Sequence, residues 1–195
     1  MSSPATLSDA ARLIALARAT PWFIQALAQV RTLGLRDWCI GAGAVRNLVW
    51  DALHQRTTPS ALTDIDVAWF DASDLSATRD AELQQRLHAL APETPWEVTN
   101  QAGVHLWFEQ HFGHPVAPLH SLTEAVASWP EFATAVGLSL DDEDRLQVIA
   151  PHGLEDLFAM VVRRNPVRVS VETYRERVAG KRYAQRWPRV RVIAA

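Results

Sequence analysis

The run Trp38-Cys39-Ile40-Gly41-Ala42-Gly43-Ala44-Val45-Arg46-Asn47 changes character halfway along. Trp38 to Ile40 are apolar and of strand type, Gly41 to Ala44 are small, and helical periodicity follows. Ala44, Val45, Leu48, Val49, Ala52 and Leu53 lie on one face of a helix, with Arg46, Asn47 and Asp51 on the other side. A strand that opens a helix through small residues exposes backbone N–H groups without partners, and the helix dipole adds positive potential there. Phosphate is the natural guest, although the same sequence also makes a plain strand-to-helix junction.

Downstream, Asp64-Ile65-Asp66-Val67-Ala68-Trp69-Phe70 alternates as a strand does. Ile65, Val67 and Trp69 face one way; Asp64, Asp66 and Ala68 face the other. Two carboxylates spaced this way repel unless a cation lies between them. Mg2+ suits the position, since it takes one or two carboxylates together with phosphate oxygens and water. Trp96 to Thr99 alternates again, with Glu97 opposite Trp96 and Val98. A third acid on a neighbouring strand completes a site for two metals, which clamp the attacking and leaving oxygens of an in-line displacement. Taken singly, each acid is equally an exposed strand residue.

The surrounding elements are predicted from caps and periodicity. Helices are expected over Asp9–Arg18, over Pro21–Leu33 (Thr20 as N-cap, Gly34 just past the end) and over Ser76–Leu90. His54–Thr63 reads as a loop, and Leu138–Leu140 with Leu146–Ile149 as a hairpin. Helices over Gly153–Val162 and Ser170–Val178 close the chain. This order predicts an α/β (α+β) fold, a small mixed sheet flanked by helices with an extra C-terminal hairpin and helices. Residues 1–195 are expected to form one unit, with a core at about 20–110 and a C-terminal extension at about 120–195 packed on it.

Composition narrows the function classes. The net charge of -3 gives no general attraction to nucleic acid or membrane. Arg163–Ala195 departs from this, with nine arginines and Lys181 against Glu172 and Glu176, a local +8 able to draw a phosphate-rich ligand or simply to form solvated helix faces. Lysine occurs once against 18 arginines, so single arginines are not read as selected for phosphate. Cys39 is the only cysteine, which excludes an internal disulfide and fits a small buried hydrophobe. No run of 18 uncharged apolar residues occurs, and Met1–Ala10 lacks the pattern of a secretion signal, so a cytoplasmic protein with no membrane partner is expected.

Ala42-Gly43-Ala44-Val45-Arg46-Asn47 and Asp64-Ile65-Asp66-Val67-Ala68 resemble the G-G-A-V-R-D and D-I-D-V-A motifs of the polymerase β-type nucleotidyltransferase superfamily, as in tRNA nucleotidyltransferase head domains. Through W-E-V-T-N-Q-A at 96–102, S-W-P-E at 128–131, A-P-H-G-L-E-D-L-F at 150–158 and Y-R-E-R-V at 174–178, most of residues 20–193 resembles a family of uncharacterised bacterial nucleotidyltransferase-like proteins. The resemblance implies that Asp64, Asp66 and Glu97 are catalytic and hold Mg2+ or Mn2+. It also implies that the turn Gly41, Ala42, Gly43, Ala44, with Arg46, grips a nucleoside triphosphate, whose nucleoside monophosphate passes to an unidentified acceptor. Two positions depart from the tRNA enzymes: Ala42 replaces the first glycine of the pair and Asn47 replaces aspartate. Their base-reading segments are not recognisable, so tRNA tailing is not expected and nucleic acid is not an expected partner.

Several residues carry two readings. Arg46 binds phosphate or, being a turn inside the helix, forms a structural ion pair. Asn100, Gln101 and His105 follow the second acidic strand and either line the site or make ordinary strand-end hydrogen bonds. His105, His111, His114 and His120 match no zinc spacing, and Asp141–Asp144 lacks the ligand alternation of a calcium loop. Trp50, on the polar flank of its helix, is the best candidate for an exposed contact. Against the transferase reading stand a nucleotide-binding or protein-interaction module without turnover and a basic C-terminal surface docked on nucleic acid.

Overall fold

In the computed structural model, which describes residues 7–195, a five-stranded mixed sheet carries helices on both faces. The start of the Met1–Ala10 segment therefore lies outside the described residues. Helix α1 (Asp9–Arg18) is capped by the Ser8 hydroxyl, which accepts from the Ala11 amide. Helix α2 (Pro21–Arg31) follows, with proline at its first turn. The chain reverses at Gly34, whose φ of 71° is open to glycine at little cost. Thr20 does not cap α2 through its side chain, because its hydroxyl donates instead to the Leu16 carbonyl at 2.8 Å.

Strand β1 (Trp38–Gly41) runs into helix α3 (Ala42–Leu53) without a loop. A Cβ on Gly41 would clash with the edge of the Trp129 ring and lie 2.9 Å from the Val136 carbonyl, so only glycine lets that ring settle on the strand. Ala42 takes the left-handed turn at φ 47° and its amide donates to the Val136 carbonyl at 3.2 Å. Strand β2 (Ile65–Trp69), helix α4 (Ala77–Leu90) and strand β3 (Trp96–Asn100) form a strand-helix-strand return to a parallel pair, which needs a crossover of this kind.

Two short helices, α5 (Phe108–Phe112) and α6 (Leu122–Ala127), precede the hairpin of β4 (Gly137–Leu140) and β5 (Leu146–Ile149). That hairpin continues the sheet: β4 pairs antiparallel with β1, giving the order β3-β2-β1-β4-β5. The main core, from Leu13 to Val190, lies beneath the face that carries Ile65, Val67, Trp69, Trp96 and Val98. Cys39, Ala68, Leu122 and Val126 form a smaller cluster on the opposite face. Burial pushes the Cys39 thiol up, with the Asp66 charge adding to it, so Cys39 is a packing residue.

Two expectations are corrected. A helix over Gly153–Val162 is reduced to one turn, α7 (Glu155–Phe158), after which Met160 at φ 55° swings the chain into β6 (Val161–Val162). Helix α8 (Val171–Lys181), capped by Ser170, and α9 (Tyr183–Arg186) then lead to β7 (Arg191–Val192), the parallel partner of β6. The second correction concerns α3, which has no solvent face along Ala44–Asp51. The last part of the chain covers its polar side. Trp50, expected to be exposed, is 0% accessible, donates from Nε1 to the Leu157 carbonyl at 2.8 Å and meets Tyr183 and Trp187 edge to face. Asp51 accepts from Trp187 Nε1 at 2.8 Å and from the Ser60 amide at 2.6 Å. Among the described residues no single helix is long and apolar enough to cross a membrane.

Candidate active site

The alternation of β2 and β3 puts Asp66 and Ala68, and beside them Glu97 and Thr99, on the sheet face away from the main core. Asp66 and Glu97 are direct partners in the parallel register, on strands about 4.8 Å apart. Asp64, just before β2, accepts from the Thr63 hydroxyl at 3.0 Å. The three acids line one pocket of about 250 Å3 together with Ala42, Gly43, Arg46 and Asn47. Arg177, Lys181 and Arg186, from α8 and α9, form its far wall.

The acids are electrostatically coupled. Burial, then the neighbouring Asp64 and Glu97 charges, push Asp66 up to about 7. The protein thus holds negative charge where water cannot fully screen it. Among the described residues no three His, Cys, Asp or Glu side chains form a ready-made metal cage. An all-protein cage is not what Mg2+ or Mn2+ requires next to a nucleotide, because phosphate and water oxygens complete the shell. The donor set is hard oxygen throughout, which suits these ions.

The start of α3 supplies the complementary half. The Val136 carbonyl takes the Ala42 amide, and the amides of Gly43 and Ala44 have no intrahelical acceptor. A Cβ on Gly43 would project between Arg46 Nη2 at 3.7 Å and Asp64 Oδ1 at 3.8 Å, so the missing side chain leaves a cradle between a cation and an acid. Asn47 is 2% accessible and accepts from Arg46 Nε at 3.2 Å and Nη2 at 2.7 Å through Oδ1. Its Nδ2 is buried without a partner, a donor waiting for an acceptor inside the pocket wall. Of the turn residues named from the sequence, Ala42 and Gly43 reach the pocket. Gly41 and Ala44 are buried behind it and do not line it.

Arg46 makes no ion pair within salt-bridge distance among the described residues. Its guanidinium is packed over Tyr183 and Trp187, each 5.2 Å from the ring centroid, and burial lowers its pKa. Arg177 is held by Glu131, which is 0% accessible and accepts from Nε at 3.0 Å and Nη2 at 3.3 Å. Thr134 and Tyr183 hydroxyls complete the Glu131 carboxylate at 2.8 and 3.3 Å.

A sequence-family profile described as "Nucleotidyltransferase" matches residues 28–192 of the chain. The chain belongs to this nucleotidyltransferase family. An NMR structure that reveals a CCA-adding enzyme head domain is similar to the nucleotidyltransferase with a TM-score of 0.81 and 31% identity, over 97% of this chain and 98% of that one. A CCA-adding enzyme in complex with CTP (TM-score 0.55, 13% identity) and the Thermotoga maritima CCA-adding enzyme complexed with tRNA (TM-score 0.53, 14% identity) share the fold, each over 96% of this chain. The nucleotidyltransferase spans 43% of each of those two enzymes. No curated protein matches its sequence.

The nucleotidyltransferase turns Asn100 away from the site: its amide nitrogen donates to the Asp71 and Asp74 carbonyls at 2.8 and 2.9 Å and its oxygen accepts from the Asp71 and Ala102 amides. Gln101 does reach the acids' side of the sheet, whereas His105 lines neither of the pockets there. Asp141 caps its own turn by accepting from the Glu143 and Arg145 amides, as a solvated turn does. Reading the sequence missed Arg177, Lys181, Arg186, Asn47 and Glu131 as site residues. The local +8 was the signal for the first three, and nothing local tied it to the acids.

Proposed function

We propose that this nucleotidyltransferase moves a nucleoside monophosphate from a nucleoside triphosphate to an acceptor hydroxyl, with Asp64, Asp66 and Glu97 holding Mg2+ or Mn2+. The observation that supports this reading is one pocket lined by Asp64, Asp66 and Glu97 together with a helix start, an orphaned Asn47 amide and the Arg46, Arg177, Lys181 and Arg186 cations. When bound, the metal neutralises phosphate charge and lowers the pKa of the attacking hydroxyl.

The chain's own groups do the rest. The Gly43 amide and Asn47 Nδ2 orient the β- and γ-phosphates, and Lys181 and Arg186 offset the charge that accumulates on departing pyrophosphate. The acceptor oxygen bonds to the α-phosphorus as the bond to the bridging oxygen of the β-phosphate breaks. Glu97 takes the acceptor's proton, and the electron pair leaves on pyrophosphate. The CCA-adding enzyme solved with CTP supports the donor class. Isothermal titration of Mg2+–ATP and Mg2+–CTP tests it: wild-type protein binds, Asp66→Asn keeps its circular dichroism spectrum and loses metal-dependent binding. Equal binding by Asp66→Asn would remove the acids from the mechanism.

A binding module without turnover has one observation in its favour, the Val136 carbonyl that already occupies the Ala42 amide. Incubation of α-labelled nucleotide with cell extract separates the two, because only an enzyme leaves label on a product.

A further inference from the structure

Asp66, Glu97, Pro130 and Arg177 border two compartments. One is the cationic pocket described above. The other, also about 250 Å3, is lined by Val104, Trp107, Phe108, Phe112, Trp129 and Val169, with Thr99, Gln101 and Thr173 at its polar edge. A narrower cleft along Ala68, Thr99 and Gln101 joins it to the acids, and the small side chain of Ala68 leaves that path open. Two of its aromatic rings remain exposed in a chain whose other tryptophans are largely covered: Trp107 is 38% and Phe112 47% accessible. Arg168 closes the rim, its guanidinium 5.7 Å from the Phe108 centroid and donating to the Ala117 carbonyl at 2.5 Å.

We infer that this aromatic compartment is the acceptor site, and that the acceptor is a small alcohol carrying one planar apolar ring. The inference rests on the transferase reading above and on in-line geometry. The attacking oxygen and the leaving oxygen stand on opposite sides of the phosphorus. With pyrophosphate among Lys181, Arg186 and the Gly43 amide, the hydroxyl must arrive across Asp66 and Glu97, which is where the aromatic compartment opens. The nucleoside has a separate way out: the cationic pocket continues into an open groove along Thr63, Gly180, Arg182 and Gln185. The compartment's volume lies just below the ~300 Å3 at which ordinary small-molecule sites begin, so it admits a single ring system and not a folded polymer. Thr99 and Gln101 lie between the rings and the acids, where they direct a hydroxyl toward Glu97.

The test uses tryptophol, an indole with a primary hydroxyl, as probe on the full chain, with saturation-transfer NMR and titration to read its affinity. Mg2+–ATP is titrated in parallel on the same variants. Trp107→Ala and Phe112→Ala each weaken tryptophol about fivefold, as loss of one aromatic contact does, and leave Mg2+–ATP unchanged. Arg186→Ala has the reverse effect. Wild-type protein that does not bind tryptophol, or binding indifferent to both aromatic variants, overturns the assignment. So does loss of Mg2+–ATP in Trp107→Ala, which would make the compartment a base pocket, or displacement of tryptophol by a short RNA with a free 3′-hydroxyl. Tryptophol binding without any Mg2+–ATP binding removes the transferase reading and the acceptor role with it, and leaves a ring-binding site alone.

Discussion

Exchanging Glu131 for glutamine keeps the size of a side chain buried to 0% accessibility while removing the charge that Arg177 is paired with. Both oxygens of the carboxylate are in use: Arg177 Nε and Nη2 donate at 3.0 and 3.3 Å, and the Thr134 and Tyr183 hydroxyls donate at 2.8 and 3.3 Å. An amide offers one acceptor oxygen where four donors converge, so at least one donor is left facing an N–H group. Removing one partner of a buried pair costs about 3–5 kcal/mol. Arg177 is about one-third accessible, and water reaching it trims this to about 2–3 kcal/mol. At about 2–4 °C per kcal/mol for a chain of this size, the thermal midpoint falls by about 4–12 °C. Urea unfolding followed by tryptophan fluorescence measures it, and the double variant Glu131→Gln/Arg177→Gln completes a cycle with an expected coupling above about 1 kcal/mol. A Glu131→Gln protein within 0.5 kcal/mol of wild type, or a double variant whose cost is the plain sum of the singles, would refute the reasoning, the first threshold being roughly the scatter of surface substitutions.

Asp66 gives the pH dependence. Its folded-state pKa is raised from 3.8 to about 7, so folding favours the protonated acid: this group costs nothing below pH 3.8, and the cost grows to its full value above pH 7. At 1.36 kcal/mol per pKa unit the ceiling is about 4 kcal/mol, so in EDTA the Asp66→Asn protein melts above wild type at pH 8 and level with it at pH 4; coincident melting curves at pH 8 would contradict it. Gly43→Ala folds normally, since its new Cβ makes ordinary contacts at 3.7 and 3.8 Å, yet it weakens Mg2+–ATP at least tenfold by filling the phosphate cradle, a loss of about 1.4 kcal/mol readable by calorimetry. Trp50→Ala costs about 3–5 kcal/mol in urea unfolding because the indole is core; an exposed contact residue would cost under about 0.5 kcal/mol.

What the sequence made legible was whatever depended on neighbours in the chain. The period of two put Asp64 and Asp66 on one face and Glu97 opposite Trp96, and the sheet then brought Glu97 level with Asp66. The first two helices, the crossover helix and the hairpin likewise followed from caps and alternation. What escaped depended on distant partners. Arg46, Asn47 and Trp50 were assigned to a polar side because periodicity distinguishes two faces of a helix and is blind to a second layer closing over the polar one. Two-residue strands such as β6 and β7 exist only because each meets the other. Lys181, the single lysine, belonged to a visible basic cluster whose destination more than 80 residues away no local pattern records.

The junction of β1 and α3 is stitched from far along the chain: the Val136 carbonyl holds the Ala42 amide, β4 flanks β1, and α8 and α9 close the pocket. A nascent chain ending near residue 110 would contain Asp64, Asp66 and Glu97 but neither that anchor nor Arg177, Lys181 and Arg186. During synthesis the three acids therefore emerge about 80 residues before the Arg177, Lys181 and Arg186 cations that face them, and the pocket is complete only once α8 and α9 have formed.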